Sequence, residues 1–340
     1  MPEITPGFET GNYRMFCALN HFLIKDLDSD YFFGPLGFTN KFEYLPNYFF
    51  SEKVIRQIGY FECNHFAKYP FCFCADNSYK TLQNPPAITI PLNVQLIDLE
   101  VFLQLLWLIK DNSVNHYTMF AFSDENKVHY LRRSNFFSNC KGLFEDVEFS
   151  REELDKVKIY YEKLVEISSK KLSVDQESIF EKSGLGPSIN QFEIYNSNNR
   201  IERAIFFLGT ARSANTIPLR ISFYVAILEC LFTTDSSGLS HKIAERCALY
   251  IGGEAKLQKE NFDRIKKAYA FRTKFFHGQN LEKSHAPLEI QILISTELDN
   301  LLRQVLNKVI MDDCDIFLQT NQQVLEEWFN SLIFKISEAK

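Results

Sequence analysis

The most apolar stretch of the chain, VQLIDLEVFLQLLWLIKD at 94–111, is interrupted by Asp98, Glu100 and Gln104. Leu99, Phe102, Leu103, Leu106 and Ile109 recur at helical spacing, which predicts a buried amphipathic helix over 94–110. The run is shorter than a clean bilayer span of ~20 residues, so no membrane segment is expected. Around it lie five short runs: QIGYFECNHF (57–66), FCFCA (71–75), AITIPL (87–92), YTMFAFS (117–123) and KVHYLRR (127–133). Each is aromatic or β-branched and bounded by Asn, Pro, Asp or Ser, the pattern of strands. Residues 1–150 are therefore expected to form a mixed α/β domain of sheet and helix.

From SREELDKVKIYYEKLVEISSKKL (150–172) the period lengthens to that of a helix, with Ser150 and Glu153 spaced as a capping box. The segment 173–199 is polar, is broken by Gly184, Gly186 and Pro187, and reads as a linker. Beyond it the periodicity predicts helices at 199–214, 217–233, 240–252, 258–277, 286–311 and 319–337. Ser240 is expected to cap the third, Asn261 or a nearby residue to sit in the first turn of the fourth, and Pro287 in that of the fifth. The fold class is thus α+β: a mixed domain over 1–150, a helix and linker over 151–198, and a helical bundle over 199–340.

Composition narrows the partners. The 340 residues include 33 Phe beside 13 Gly, so phenylalanine is expected to fill the cores. A net charge of −6 excludes whole-molecule attraction to polyanions and leaves only a local basic patch for that purpose. Eight cysteines in a chain of this length are not a small disulfide scaffold. With no secretory pattern in MPEITPGFET, a cytoplasmic location is expected.

A local basic patch exists. Arg264, Lys266, Lys267, Arg272 and Lys274 fall within three turns, and the first three are candidate RNA-binding residues. At the end of the same helix FRTKFFHG places Arg272 and His277 five residues apart, roughly 140° on an ideal helix. They can converge only where the helix stops, and Gly278 is placed to stop it in the left-handed conformation. An arginine offers a charged fork to phosphate and a histidine moves protons near neutrality, so the two are the candidate catalytic residues.

A second cluster, ECNHFAKYPFCFC, alternates Cys63 with His65 and Cys72 with Cys74. On a hairpin these four would share a face and could hold zinc, although they lack the two-residue knuckle spacing of common zinc sites. No metal is assigned and no cofactor is expected. His241 reads as a surface or interface residue, and His21, His116, His129 and His285 have no neighbours in sequence that suggest chemistry.

The text around Arg272 resembles the ApeA-like HEPN domains of bacterial defence proteins over roughly 200–311. The resemblance rests on Leu228, Glu229, Leu231 and Phe232; on Ser240 to Lys242 with Ala244, Glu245 and Arg246; and on Tyr269, Arg272, Lys274, His277 and Gly278. It implies that 199–340 is an ApeA-like HEPN helical domain carrying the Arg-x4–6-His motif of metal-independent ribonucleases. It also implies RNA as the substrate, a homodimer facing two motifs into one cleft, and a role in antiviral defence. Glu229, Glu245, Arg246, Tyr269, Thr273 and Lys274 become candidate supporting residues. The N-terminal half, similar to such proteins only in WLIKDNSV (107–114), is expected to be a sensor or adaptor. Thr273 stands where many active members carry a more polar residue. Gln279 stands where members regulated by tyrosine modification carry the tyrosine.

Overall fold

The computed structural model describes residues 13–25, 29–47, 49–74, 89–123, 128–132, 136–169, 199–235, 238–281 and 286–334. They build an α+β protein whose strands precede its helical region. The chain divides into two compact units, one of 1–137 with 144–161, the other of 138–143 with 162–340. The division falls inside a helix, between Tyr161 and Glu162.

In the first unit β1 (Tyr13–Asn20), β3 (Tyr31–Phe33), β4 (Leu36–Thr39), β5 (Phe71–Cys74), β6 (Asn115–Ser123) and β7 (Val128–Arg132) form one antiparallel sheet. Their order is β3-β4-β5-β1-β6-β7. The short β2 (Phe22–Ile24) pairs in parallel with β8 (Val147–Phe149). Side-chain alternation gives the large sheet two buried faces. Phe16, Phe71, Phe73, Phe120 and Phe122 pack with Phe49, Val54, Ile58, Cys63 and Phe66 of α1 (Glu52–Ile58), α2 (Tyr60–Lys68) and the segment before them. Phe38 lies opposite Cys72 in the ladder, hence on the other face, where it stacks on Phe102 of α3 (Thr89–Ile109). Phenylalanine fills this core, as expected.

Three readings of the first unit need correction. Residues 57–66 are not a strand: they end α1 and begin α2, hinged at Gly59 with φ 97°. Val54, Ile58, Cys63 and Phe66 bury one side while Tyr60 and Phe61 face outward, so helical burial overrides the β-propensity of the aromatics. Residues 89–92 likewise begin α3, with Pro91 in the first turn, where no backbone N–H is needed. Strands β1 to β4 were absent from the expected elements altogether. The strands at 71–74, 115–123 and 128–132 and the core helix agree with the pattern. By length and composition Leu92–Ile109 could cross a membrane, but 56% of that stretch is buried inside the fold.

The helix after the sheet, α4 (Arg151–Ser169), is capped as its sequence predicts. The Glu153 carboxylate accepts from Ser150 N–H at 2.9 Å and Ser150 Oγ accepts from Glu153 N–H at 3.2 Å. The expected linker at 173–198 lies outside the described residues.

Among its described residues the regular elements of the second unit are helices: the end of α4, then α5 (Arg200–Ser213), α6 (Ile217–Phe232), α7 (Leu239–Ile251), α8 (Ala255–Phe276), α9 (Leu288–Met311), α10 (Cys314–Phe317) and α11 (Gln322–Phe334). Its core is the apolar side of α6, from Ile221 to Phe232, against Leu298 to Ile310 of α9 and neighbours. One cap and two helix starts differ from expectation. Gly238, left-handed at φ 62°, precedes α7, and Ser240 Oγ instead accepts from Lys266 Nζ at 2.9 Å. Helix α8 starts at Ala255, so Asn261 lies one turn further in and is buried. Pro287 sits one residue before α9.

Buried Arg246 on α7 ties three segments together. It donates to Phe232 O and Thr234 Oγ1, both at 2.9 Å, and to both carboxylate oxygens of Glu326 at 2.7 and 2.6 Å. Its guanidinium lies over the Phe329 ring, 4.6 Å from the centroid. Partial burial pushes the Glu326 carboxyl up, but the bonds from Thr234 and Arg246 outweigh it and hold it below the usual range. A carboxyl lowered in the fold stabilises above its unfolded pKa and loses that contribution as pH falls through the folded value. Urea midpoints measured between pH 6 and pH 3 should therefore drop more steeply in the native protein than in Glu326→Gln. Parallel curves would remove Glu326 from the acid response.

Candidate functional site

Helix α8 carries FRTKFF on its last turns and ends in a glycine cap. Gln279 N–H donates to Lys274 O at 2.9 Å and Gly278 N–H to Phe275 O at 3.3 Å, the two bonds of a Schellman motif. Gly278 has φ 63°, the left-handed value read from the sequence. His277, the C-cap residue at φ −85°, is thus held at the helix mouth, exposed, with no polar partner for its ring among the described residues. A Cβ at Gly278 meets nothing within 4 Å, so only its backbone angle opposes substitution. Gly278→Ala should cost about 1 kcal/mol in stability by thermal melting. A cost near zero would mean that the turn reshapes freely.

Arg272 sits one turn earlier, half-buried. Its Nη1 donates to Glu229 Oε1 of α6, and the Tyr269 hydroxyl donates to the same oxygen. The guanidinium is flanked by the Tyr269 and Phe276 rings, at 5.9 and 5.6 Å from their centroids. Burial, then the bond to Glu229, pushes the Tyr269 phenol far up, so it remains a proton donor at any physiological pH. Glu229, Tyr269 and Arg272 therefore form one bonded cluster. Among the described residues no hydrogen bond or ion pair joins Arg272 to His277. The two share a helix end; the tertiary fold adds Glu229 as the partner of the arginine.

The remaining candidates divide. Thr273 Oγ1 donates back to Tyr269 O at 2.9 Å, satisfied on its own helix. Lys274 is half-buried, and so is Glu245, which has no polar partner among the described residues. Arg246 is a buried structural clamp on Glu326 and is no part of the cluster around Arg272. In the basic stripe Arg264 is met by Glu297 at 3.6 Å, Glu260 at 3.7 Å and Asn261 at 2.9 Å. Lys266 is held by Ser240. Lys267 is half-buried with no polar partner among the described residues. The stripe is thus less basic than its sequence suggests, because α9 supplies an acid against it.

The cysteine cluster does not assemble. Cys63 and His65 lie on α2, where residues two apart point roughly 200° from each other, while Cys72 and Cys74 lie on β5. Cys63 faces the core, and His65 stacks on Tyr117 at 5.6 Å. Among the described residues no cluster of potential metal ligands includes any of the four. Burial also pushes the Cys63 and Cys72 thiols up, away from the thiolate that zinc requires.

One contact escaped the sequence. His21, at φ 60° in the turn between β1 and β2, has Nδ1 2.8 Å from Asp146 Oδ1, which also accepts from Tyr69 OH at 3.0 Å. The pair spans 125 residues, so nothing local announced it. Val147 N–H donates to His21 O at 3.1 Å beside it, so the contact pins the start of the β2–β8 ladder.

No protein-family model, curated protein or solved structure matches this chain.

Proposed function

We propose that the chain is a metal-independent endoribonuclease of bacterial antiviral defence, cytoplasmic and acting as a homodimer through an ApeA-like HEPN domain. The observation that carries this reading is the end of α8, where an exposed histidine at the Schellman cap and a half-buried arginine one turn earlier share one helix end. Cleavage through the 2′-OH needs a group to take its proton, a charge to stabilise the phosphorane, and a proton for the departing 5′-oxygen. The imidazole of His277 serves a proton-transfer task. The guanidinium of Arg272 serves the charge. One pair is sparse for three tasks, which is why the reading includes a two-fold dimer that brings two such ends to one cleft. The N-terminal unit is then the sensor or adaptor that governs the helical one.

The test is incubation of purified protein with total RNA in EDTA, followed by sequencing and chemical typing of the new ends. Cleavage that survives chelation and leaves 2′,3′-cyclic phosphates supports the proposal; cleavage abolished by EDTA overturns it. A second reading, a non-catalytic HEPN module binding RNA, a nucleotide or a protein partner, is favoured by the ion pair that already meets the charge of Arg272. It predicts RNA retention without new ends.

A further inference from the structure

Phe276 is the last residue of α8 and the immediate neighbour of His277. It lies four residues beyond Arg272, on the same side of the helix, and the guanidinium sits over its ring, 5.6 Å from the centroid. The residue is nonetheless 57% exposed. A ring with one face under a cation and more than half of its surface in solvent has its other face open. Phe275, itself exposed, meets it at 67° with the centroids 5.6 Å apart, so the ring is held in one plane by two neighbours.

The surroundings decide what this open face suits. From 264 to 281 the chain carries no Asp or Glu, and Thr273, His277, Gln279 and Asn280 in the same turns are exposed. A protein partner that covered the ring would bury these polar groups with it, at a cost wherever they found no hydrogen bond. A nucleotide avoids that cost, because its base lies flat on the ring while its sugar and phosphate stay among polar and cationic side chains. We propose that Phe276 is a positioning residue, a stacking platform for one base of single-stranded RNA that holds the strand beside His277. Stacking asks for no particular base, since every base has a π-face.

The platform rests on the ribonuclease reading for RNA as its strand. The experiment uses the full chain and a 2′-O-methyl oligonucleotide, which cannot be cleaved through its 2′-oxygen, with the fluorescent base 2-aminopurine moved along it one position at a time. Stacking on an aromatic ring quenches that base, so the native protein should quench it most at one position. Phe276→Leu keeps an apolar side chain and loses the flat face. It should remove the quenching and weaken binding roughly tenfold, within the range for one stacked base. Phe276→Trp should restore both. An abasic site at the quenched position should weaken native binding by the same factor, and on that strand Phe276→Leu should bind no worse than native. The last comparison separates stacking from a disturbed Arg272, whose penalty does not depend on the base. Circular dichroism checks the fold, and Phe276→Met serves in place of Phe276→Leu should that variant not fold.

Native protein that quenches no position overturns the proposal, as does a Phe276→Leu penalty that persists on the abasic strand. So does a Phe276→Leu protein that binds the oligonucleotide as before but separates from a dimer in sedimentation, which makes the ring a contact between copies. Failure of the nuclease reading is separately visible: quenching then still follows the ring at 276, yet natural RNA is never cut.

Discussion

Replacing His277 with alanine is expected to lower RNA cleavage by roughly 10²–10⁴-fold, the contribution of one positioned proton-transfer group. The fold should not suffer, because the side chain is exposed at the C-cap of α8 and its ring has no polar partner among the described residues. In the step at stake the 2′-oxygen attacks phosphorus as its proton leaves to a base, and the bond to the 5′-oxygen breaks as that oxygen gains a proton. Removing one of the groups that handle these protons slows the step without touching RNA affinity, so the loss should appear in kcat rather than KM. Arg272→Lys should also be strongly impaired: it keeps the charge and loses the planar fork. A substrate with 2′-deoxyribose at the cut position should not be cleaved at all. Single-turnover rates, with circular dichroism as the control for folding, decide the matter. A folded His277→Ala protein that cuts at the native rate, or one that cuts the 2′-deoxy substrate, places the chemistry elsewhere.

The second large effect concerns stability. Arg246→Ala should destabilise the helical unit by roughly 3 kcal/mol, the low end for breaking a buried pair, because Glu326 keeps some contact with water. The loss combines several bonds. The Phe232 carbonyl at the end of α6, the Thr234 hydroxyl and the Glu326 carboxylate all lose a donor, and the Phe329 ring loses the cation on its face. For a unit of this size the melting temperature should fall by roughly 6–12 °C. Differential scanning calorimetry reads this directly. Arg246→Lys should recover only part of it, since an ammonium cannot bond both Glu326 oxygens and two further acceptors at once. A change below about 1 kcal/mol in Arg246→Ala would assign these bonds little net value.

The two predictions separate residues that the sequence presents together. Glu245 and Arg246 adjoin in one motif and Arg272 and His277 in another, and all four read as parts of one site. In the fold Arg246 leaves for Glu326, 80 residues on, while Arg272 meets Glu229, 43 residues back. Motif membership did not distinguish a buried clamp from a group on the candidate site. The zinc alternative, never assigned, fell for a related reason. It assumed that 57–66 was a strand, and a helix turns Cys63 and His65 apart.

What the sequence determined by itself is what nearest neighbours along the chain decide. The helices of the second half lie close to their predicted bounds, because burial there recurs every three to four residues. Ser150 and Glu153 cap α4 as their spacing demands, and Gly278 ends α8 in the left-handed conformation that its missing side chain permits. The candidate pair Arg272 and His277 was legible on the same terms, as two side chains near the end of one helix. Tertiary structure decided the rest. It made a helix of the aromatic run at 57–66, because Val54, Ile58, Cys63 and Phe66 had a sheet face to bury against. It set an acid from α9 against the basic stripe through Glu297 and Arg264, and fastened Arg272 to Glu229 and Tyr269. These outcomes depend on groups that approach only when distant segments pack, and no period or spacing within one segment encodes which partner will arrive.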